Sequence, residues 1–170
     1  MVVTRPPLLV VAVESVGLHG PAWAWGGVLV VDGRISERHL EWCPPETASC
    51  EADALVWANE QVVPQLLMAT RTPTVSSPGQ MRGRFWSCWR AAADIGAQLA
   101  VDAAWPRESG FLSAAVEDDP DGRWWTGPRP VLDIATLRLA GLAGNAKDIH
   151  QPLTDAITSW LSMRDWWLGE

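Results

Sequence analysis

Three carboxylates from separate elements are the residues of this sequence best placed to do chemistry. Glu14 closes the apolar run at residues 8–13, Asp102 ends a second apolar run, and Asp155 lies early in a helical stretch. A carboxylate at the end of a buried strand is costly unless something pairs with it. Three that converge repel one another, and a hard divalent cation such as Mg²⁺ or Mn²⁺ relieves that repulsion. The sequence therefore predicts a shared metal site, with simple capping of a strand end as the alternative for Glu14.

His150 lies five residues before Asp155 and adds a group that can move a proton. A histidine close to bound metal ions can take a proton from a water molecule. This spacing is common by chance, and Asp102 alone is typical of an ordinary strand end. The combined order of Glu14, Asp102, His150 and Asp155 is more specific than any of its parts.

The elements that must position these residues alternate along the chain. We expect strands at 8–14, 24–31, 35–42 and 99–103, and helices at 53–68, 84–98, 106–116, 132–142 and 152–167. A meander of strands followed by alternating helices and strands predicts an α/β fold, a mixed sheet flanked by helices. We expect residues 1–170 to form a single domain.

Composition limits the classes of function. The net charge of −7 argues against an extensive duplex-binding face, but it permits a small site for a few nucleotides or for cations. The 3 cysteines show no CxxC spacing, which is typical of reduced thiols in the cytoplasm. No apolar run reaches the roughly 18 residues of a membrane span, and residues 1–7 lack a signal-peptide pattern. We therefore expect a cytoplasmic protein without a membrane segment.

Tryptophan usage predicts self-association. The chain has 12 Trp, no Tyr and 2 Phe. The adjacent pairs Trp124–Trp125 and Trp166–Trp167 cannot all point inward, so some of these rings should meet solvent, a partner or a base. Packing or a homo-oligomer contact is favoured over base stacking, and we expect a homodimer. The C-terminal pair is the preferred contact, because only Leu168, Gly169 and Glu170 follow it.

The order of these residues resembles the DEDD-type 3′–5′ exonucleases with a catalytic histidine, which include ribonuclease T and the proofreading subunits of DNA polymerases. Residues 14–21 resemble the family's Glu-Thr-x-Gly-Leu segment, and residues 150–156 match its His-x-Ala/Pro-x-x-Asp-Ala motif. Residues 101–108 and 127–134 resemble segments of small bacterial members. The likeness covers about residues 8–165. It implies a ribonuclease H-like fold and hydrolysis of a phosphodiester at the 3′ end of a single strand or short oligonucleotide.

The resemblance also implies a role for each residue. Glu14, Asp102 and Asp155 would hold two Mg²⁺ or Mn²⁺ ions, with Glu14 and His150 as the catalytic pair and His150 as general base. Gly17, Leu18 and His19 would border the terminal nucleotide of the substrate. For His19 the simpler interpretation, an exposed turn residue, remains open.

Ala12 departs from the family pattern, which has Asp-x-Glu where this chain has Ala12-x-Glu14. Alanine has no oxygen, so a metal ion loses a ligand and activity should be weak or absent. Either the natural protein is a non-catalytic relative, or Asp was replaced by Ala to trap a substrate. Two functions stay open: a nuclease of RNA or DNA 3′ ends, and a non-catalytic binding or scaffolding module that self-associates.

Overall fold

A mixed five-stranded sheet forms the centre of the computed structural model, which describes residues 5–17, 20–48, 51–145 and 150–169. The strands are β1 (Leu8–Ser15), β2 (Ala22–Val31), β3 (Arg34–Trp42), β4 (Gln98–Val101) and β5 (Val131–Asp133). Their order is β3-β2-β1-β4-β5, with β1 antiparallel to β2 and parallel to β4. Within these residues, no helix is both long and apolar enough to cross a membrane.

The central strand β1 is buried along its whole length, so both of its faces must be covered. Leu9 and Val11 belong to one hydrophobic cluster, and Leu8 and Val10 belong to a second. Side chains alternate between the faces of a strand. Position 12 and Glu14 therefore lie on the face of Leu8 and Val10.

One helix covers each face of the sheet. The helices are α1 (Ala52–Trp57), α2 (Val63–Thr70), α3 (Pro78–Asp94), α4 (Ser109–Glu117), α5 (Pro120–Arg123), α6 (Ile134–Leu139) and α7 (Pro152–Leu168). α3 contributes Phe85 and Trp89 to the cluster of Leu9 and Val11. α7 contributes Trp160, Met163 and Trp167 to the cluster of Leu8 and Val10. The face that carries Glu14 is thus the face on which α7 packs.

Most predicted elements are confirmed, with shifted ends. The meander, the fourth strand and the last helix lie where the sequence placed them, and a π-helical turn at Ala58–Val62 joins α1 to α2. α3 begins at Pro78 rather than at residue 84, because the Ser77 hydroxyl caps it by accepting a hydrogen bond from the Gln80 N–H. The predicted helix at 132–142 is wrong at its start. Val131–Asp133 instead pairs in parallel with β4, and α6 begins only at Ile134.

The C-terminal tryptophan pair is covered by other parts of the chain, although only three residues follow it in sequence. Trp167 is buried among the side chains under α7, and Trp166 is partly buried against the same cluster. Trp124 and Trp125 are the exposed pair, at 62% and 76% of their full surface. If the chain self-associates through tryptophan, Trp124 and Trp125 are the better candidates.

Candidate functional site

A close approach between β2 and α7 builds the site. Gly26 pairs with Ala12 across the β1–β2 ladder. A Cβ atom at Gly26 would lie 2.1 Å from the backbone nitrogen of Leu153, so the first turn of α7 lies directly on the sheet. This contact places the start of α7, with Asp155, on the face that carries Ala12 and Glu14.

Glu14 is buried between two basic side chains. Its Oε2 lies 3.3 Å from Nη1 of Arg107, and its Oε1 lies 3.8 Å from Nδ1 of His150. The His150 ring meets the Trp57 ring edge to face, with centroids 4.9 Å apart. These contacts bring a carboxylate, a guanidinium, an imidazole and an indole to the end of β1.

A cavity of about 270 Å³ opens beside this group, and we call it the Glu14 pocket. It is lined by Glu14, Ser15, Gly17, Ala54, Trp57 and Arg107. Gly17 has φ of +71°, a left-handed conformation that suits glycine. Of the three residues predicted to border the nucleotide, Gly17 lies at the pocket, and Leu18 and His19 lie outside the described residues.

His150 holds a strained backbone conformation at the edge of this site. Its φ of +56° lies in the left-handed region, which is unfavourable for a residue with a side chain. Such strain persists where neighbouring contacts fix the residue, and it is common at functional sites. The contacts with Trp57 and Glu14 are of that kind, so the predicted pairing of His150 with Glu14 in one site has a structural basis.

Asp102 points to partners other than Glu14. Its Oδ1 lies 2.9 Å from Nη1 of Arg138 and accepts a hydrogen bond from the Ser159 hydroxyl. Those groups come from α6 and α7, so Asp102 ties these helices to the end of β4. The contacts indicate a structural role for this carboxylate.

Asp155 closes the first turn of α7. Its Oδ2 accepts a hydrogen bond of 3.0 Å from the N–H of Gln151, and the Gln151 side chain in turn caps the N–H of Thr154. A carboxylate here also interacts favourably with the positive end of the helix dipole. Asp155 is buried, and a backbone donor already stabilises its charge.

The carboxylates as arranged do not fit the two-metal centre that the resemblance implies. In the described part of the chain, no group of three His, Cys, Asp or Glu side chains is arranged to hold a metal ion. Glu14 faces Arg107, Asp102 faces Arg138, and the side chain at position 12 offers no oxygen. The prediction that Glu14, Asp102 and Asp155 share an ion finds no support in this geometry.

Trp57 and Arg107, which line the pocket, and Glu108 next to Arg107 are residues that the sequence analysis missed. Glu108 is buried, and desolvation raises the pKa of its carboxyl group to about 7 although Arg107 beside it lowers that pKa. Its carboxyl group also forms a hydrogen bond with the backbone of Val13. Arg107 and Glu108 lie in the segment 101–108, which resembles the family, but the sequence indicates Asp102 as the functional carboxylate of that segment. The available signal was an acidic residue, Glu108, one helical turn before the apolar pair Phe111 and Leu112.

Stability is expected to fall as the pH rises from the ordinary Glu pKa of 4.5 to the Glu108 pKa of about 7. In that interval the folded chain keeps a proton that the unfolded chain has released, which costs roughly 1.4 kcal/mol per pH unit. Glu108→Gln cannot ionise and should remove this part of the slope. Urea unfolding of both chains at several pH values measures it, and identical slopes would contradict the assignment to Glu108.

Solved structures share this fold. The chain aligns with exonuclease I from Methylocaldum szegediense at a TM-score of 0.60 and 14% identity, covering 95% of this chain and 42% of that one. It aligns with E. coli exonuclease I in complex with a 5cy-dA13 oligonucleotide at 0.60 and 12%, covering 96% and 42%. A zinc-bound E. coli ExoI–ssDNA complex aligns at 0.58 and 12%, covering 94% and 39%. No protein-family model and no curated protein matches the chain.

These alignments define the class of fold. The mixed five-stranded sheet flanked by helices is the ribonuclease H-like α/β fold of the exonuclease I structures, as predicted. The chain spans about two fifths of the length of those proteins. At 12–14% identity the likeness establishes the fold alone, and the activity must be argued from the site.

Proposed function

We propose that the chain binds the 3′ end of a single-stranded nucleic acid or short oligonucleotide in the Glu14 pocket, and that it hydrolyses this end weakly or not at all. The main observation behind the proposal is that Trp57 and Arg107 line one cavity at the end of β1. An aromatic face and a guanidinium are the groups that bind a base and its phosphate. The exonuclease I structures support the proposal, since two of them are described as complexes with an oligonucleotide or with ssDNA.

The size and aromatic lining of the Glu14 pocket suit one terminal nucleotide. Its volume of about 270 Å³ lies near the lower end of ligand pockets, so it cannot admit a duplex. Trp57 is 39% exposed, and the edge-to-face contact with His150 fixes its ring. A fixed and accessible indole loses little freedom when a base stacks on it.

Weak hydrolysis follows from the charges around the pocket. The side chain at position 12 lacks an oxygen, and the three carboxylates of the predicted metal site engage Arg107, Arg138 and the Gln151 backbone N–H. The requirement for Mg²⁺ or Mn²⁺ and the cytoplasmic location remain predictions. His150 lies within reach of Glu14 and would be the proton acceptor if a weak reaction persists.

Trp57→Ala is expected to weaken binding of a linear single strand about ten-fold, since stacking contributes ~1–3 kcal/mol per base. Fluorescence anisotropy with a short 5′-labelled single strand measures the affinity. Trp125→Ala is the matched control, because Trp125 is also exposed but does not line the Glu14 pocket. The control should bind as the parent does.

Recognition of an end is tested separately from stacking. A circular single strand and a hairpin with a recessed 3′ end should both bind more weakly than the linear strand. Equal affinity for the circular and linear strands would refute the 3′ end as the bound group. An equal loss in Trp57→Ala and Trp125→Ala would move binding away from the Glu14 pocket.

Self-association is the second candidate, and a specific surface favours it. A groove of about 430 Å³ is lined in part by the exposed Trp124, the neighbour of the exposed Trp125 in sequence. Its apolar lining includes Leu112, Val116, Trp124, Pro128 and Val131. Exposed apolar patches of this kind often mark an interface. A homodimer would use this surface, and a light-scattering mass of one chain at micromolar concentration would eliminate this candidate.

A further inference from the structure

We propose that Arg107 replaces a metal ion in the Glu14 pocket, so that the chain holds the terminal phosphodiester of a single strand without divalent cations. This inference rests on the proposed binding of a 3′ end. It adds that Arg107 contacts the phosphate and that binding needs no divalent cation.

The position of Arg107 relative to Glu14 is the first support. Nη1 of Arg107 lies 3.3 Å from Oε2 of Glu14, and both side chains line the pocket. The Arg107 side chain is 27% exposed and the Glu14 side chain only 4%. The cation therefore lies on the solvent side of the pair, and an anionic ligand entering the pocket meets Arg107 before Glu14.

The charges of the surrounding carboxylates are the second support. Carboxylates without a counterion would repel a phosphate strongly in a partly desolvated site. Here Arg107 faces Glu14, Arg138 faces Asp102, and a backbone N–H stabilises Asp155. Alanine at position 12 lowers the negative charge further. Of these carboxylates Glu14 is the one that lines the pocket, so the wall that receives the phosphate carries a pair of opposite charges, Glu14 and Arg107.

The chemistry of the guanidinium is the third support. Its planar fork of N–H donors matches a phosphate as well as a carboxylate, and it keeps its charge at any pH relevant to the cell. A metal ion would have to compete with this fixed cation for Glu14. The pocket is therefore better suited to a phosphate held by Arg107 than to one held through an ion.

Binding in EDTA is the decisive measurement, made by anisotropy with a 5′-fluorescein-labelled single strand. The parent should bind in EDTA, and added Mn²⁺ should change its affinity less than two-fold. Arg107→Ala should weaken binding about ten-fold or more, because hydrogen bonds to charged groups are among the stronger ones. Arg84→Ala, an exposed change on α3 at the other face of the sheet, should bind as the parent does.

Glu14→Gln distinguishes a phosphate held by Arg107 from one held by a metal ion, because the two arrangements predict different changes in binding affinity. If Arg107 holds it, removing the neighbouring negative charge tightens binding or leaves it unchanged. If an ion held by Glu14 mediates binding, losing that ligand weakens it. Arg107→Lys keeps the charge and should fall between parent and Arg107→Ala, and circular dichroism confirms that each variant folds.

The outcomes separate this inference from the function on which it rests. Binding that needs Mn²⁺, or that weakens in Glu14→Gln, overturns the role of Arg107 and leaves 3′-end binding in place. Unchanged affinity in Arg107→Ala also overturns it. No binding of the parent under either condition overturns both the inference and the proposed function.

Discussion

Gly26→Ala is expected to destabilise the protein by several kcal/mol and to abolish single-strand binding. The added Cβ would lie 2.1 Å from the Leu153 nitrogen and 2.3 Å from the Pro152 carbonyl carbon. These are backbone atoms, so the clash cannot be relieved by a rotamer change. α7 must move away from β2, and overpacking of this kind costs about 1–3 kcal/mol or more. Since α7 carries Asp155 and Trp160, its displacement also disrupts the site and the core beneath it.

Gly83→Ala is the matched control for the change at Gly26. It lies within α3, and an added Cβ there meets no atom within 4 Å. The same change should therefore stabilise the chain by roughly 0.5–1 kcal/mol, because alanine is the better helix former. Urea unfolding of both variants measures the difference. If Gly26→Ala proves as stable as Gly83→Ala, then α7 does not lie against Gly26.

The fold was largely predictable because its strongest signals are local. The continuous apolar run of β1 and the polar turn between β2 and β3 identify the meander directly. β5 was missed for a physical reason. A strand of three residues at a sheet edge is too short to show periodicity, and its pairing with β4 depends on a segment about 30 residues away.

The site was predictable only in part, because the direction of a side chain depends on partners distant in sequence. The side chains of Glu14 and His150 lie 3.8 Å apart, since Glu14 is next to the end of β1 and His150 lies two residues before α7. Asp102 also ends a strand, but Arg138 and Ser159 determine where its carboxylate points. Nothing adjacent to Asp102 in sequence indicates these contacts. The sequence does not distinguish Arg107 from an ordinary surface arginine, because its contact with Glu14 joins residues far apart in the chain.

The effect of an aspartate at position 12 likewise depends on the groups that surround that position in the fold. Ala12→Asp is expected to be less stable than the parent in EDTA by about 1–3 kcal/mol, because it adds a buried carboxylate. Ala12 is buried on the face that carries Glu14 and receives the first turn of α7. An added negative charge would also compete with Glu14 for Arg107. A divalent cation is the group that could offset both effects.

Mn²⁺ should therefore stabilise Ala12→Asp against heat more than it stabilises the parent, and the variant should trim a labelled single strand faster in Mn²⁺. Ala12→Asn is the control, because it is nearly isosteric but adds no charge. Because it also buries a polar group, it should lose some stability in EDTA but less than Ala12→Asp, and it should show no added response to Mn²⁺. Thermal melts with and without the ion, followed by a gel assay of the strand, measure both properties. If Ala12→Asp gains neither Mn²⁺-dependent stability nor activity, Arg107 alone governs the charge of this pocket, and one restored carboxylate is not enough to displace it from Glu14.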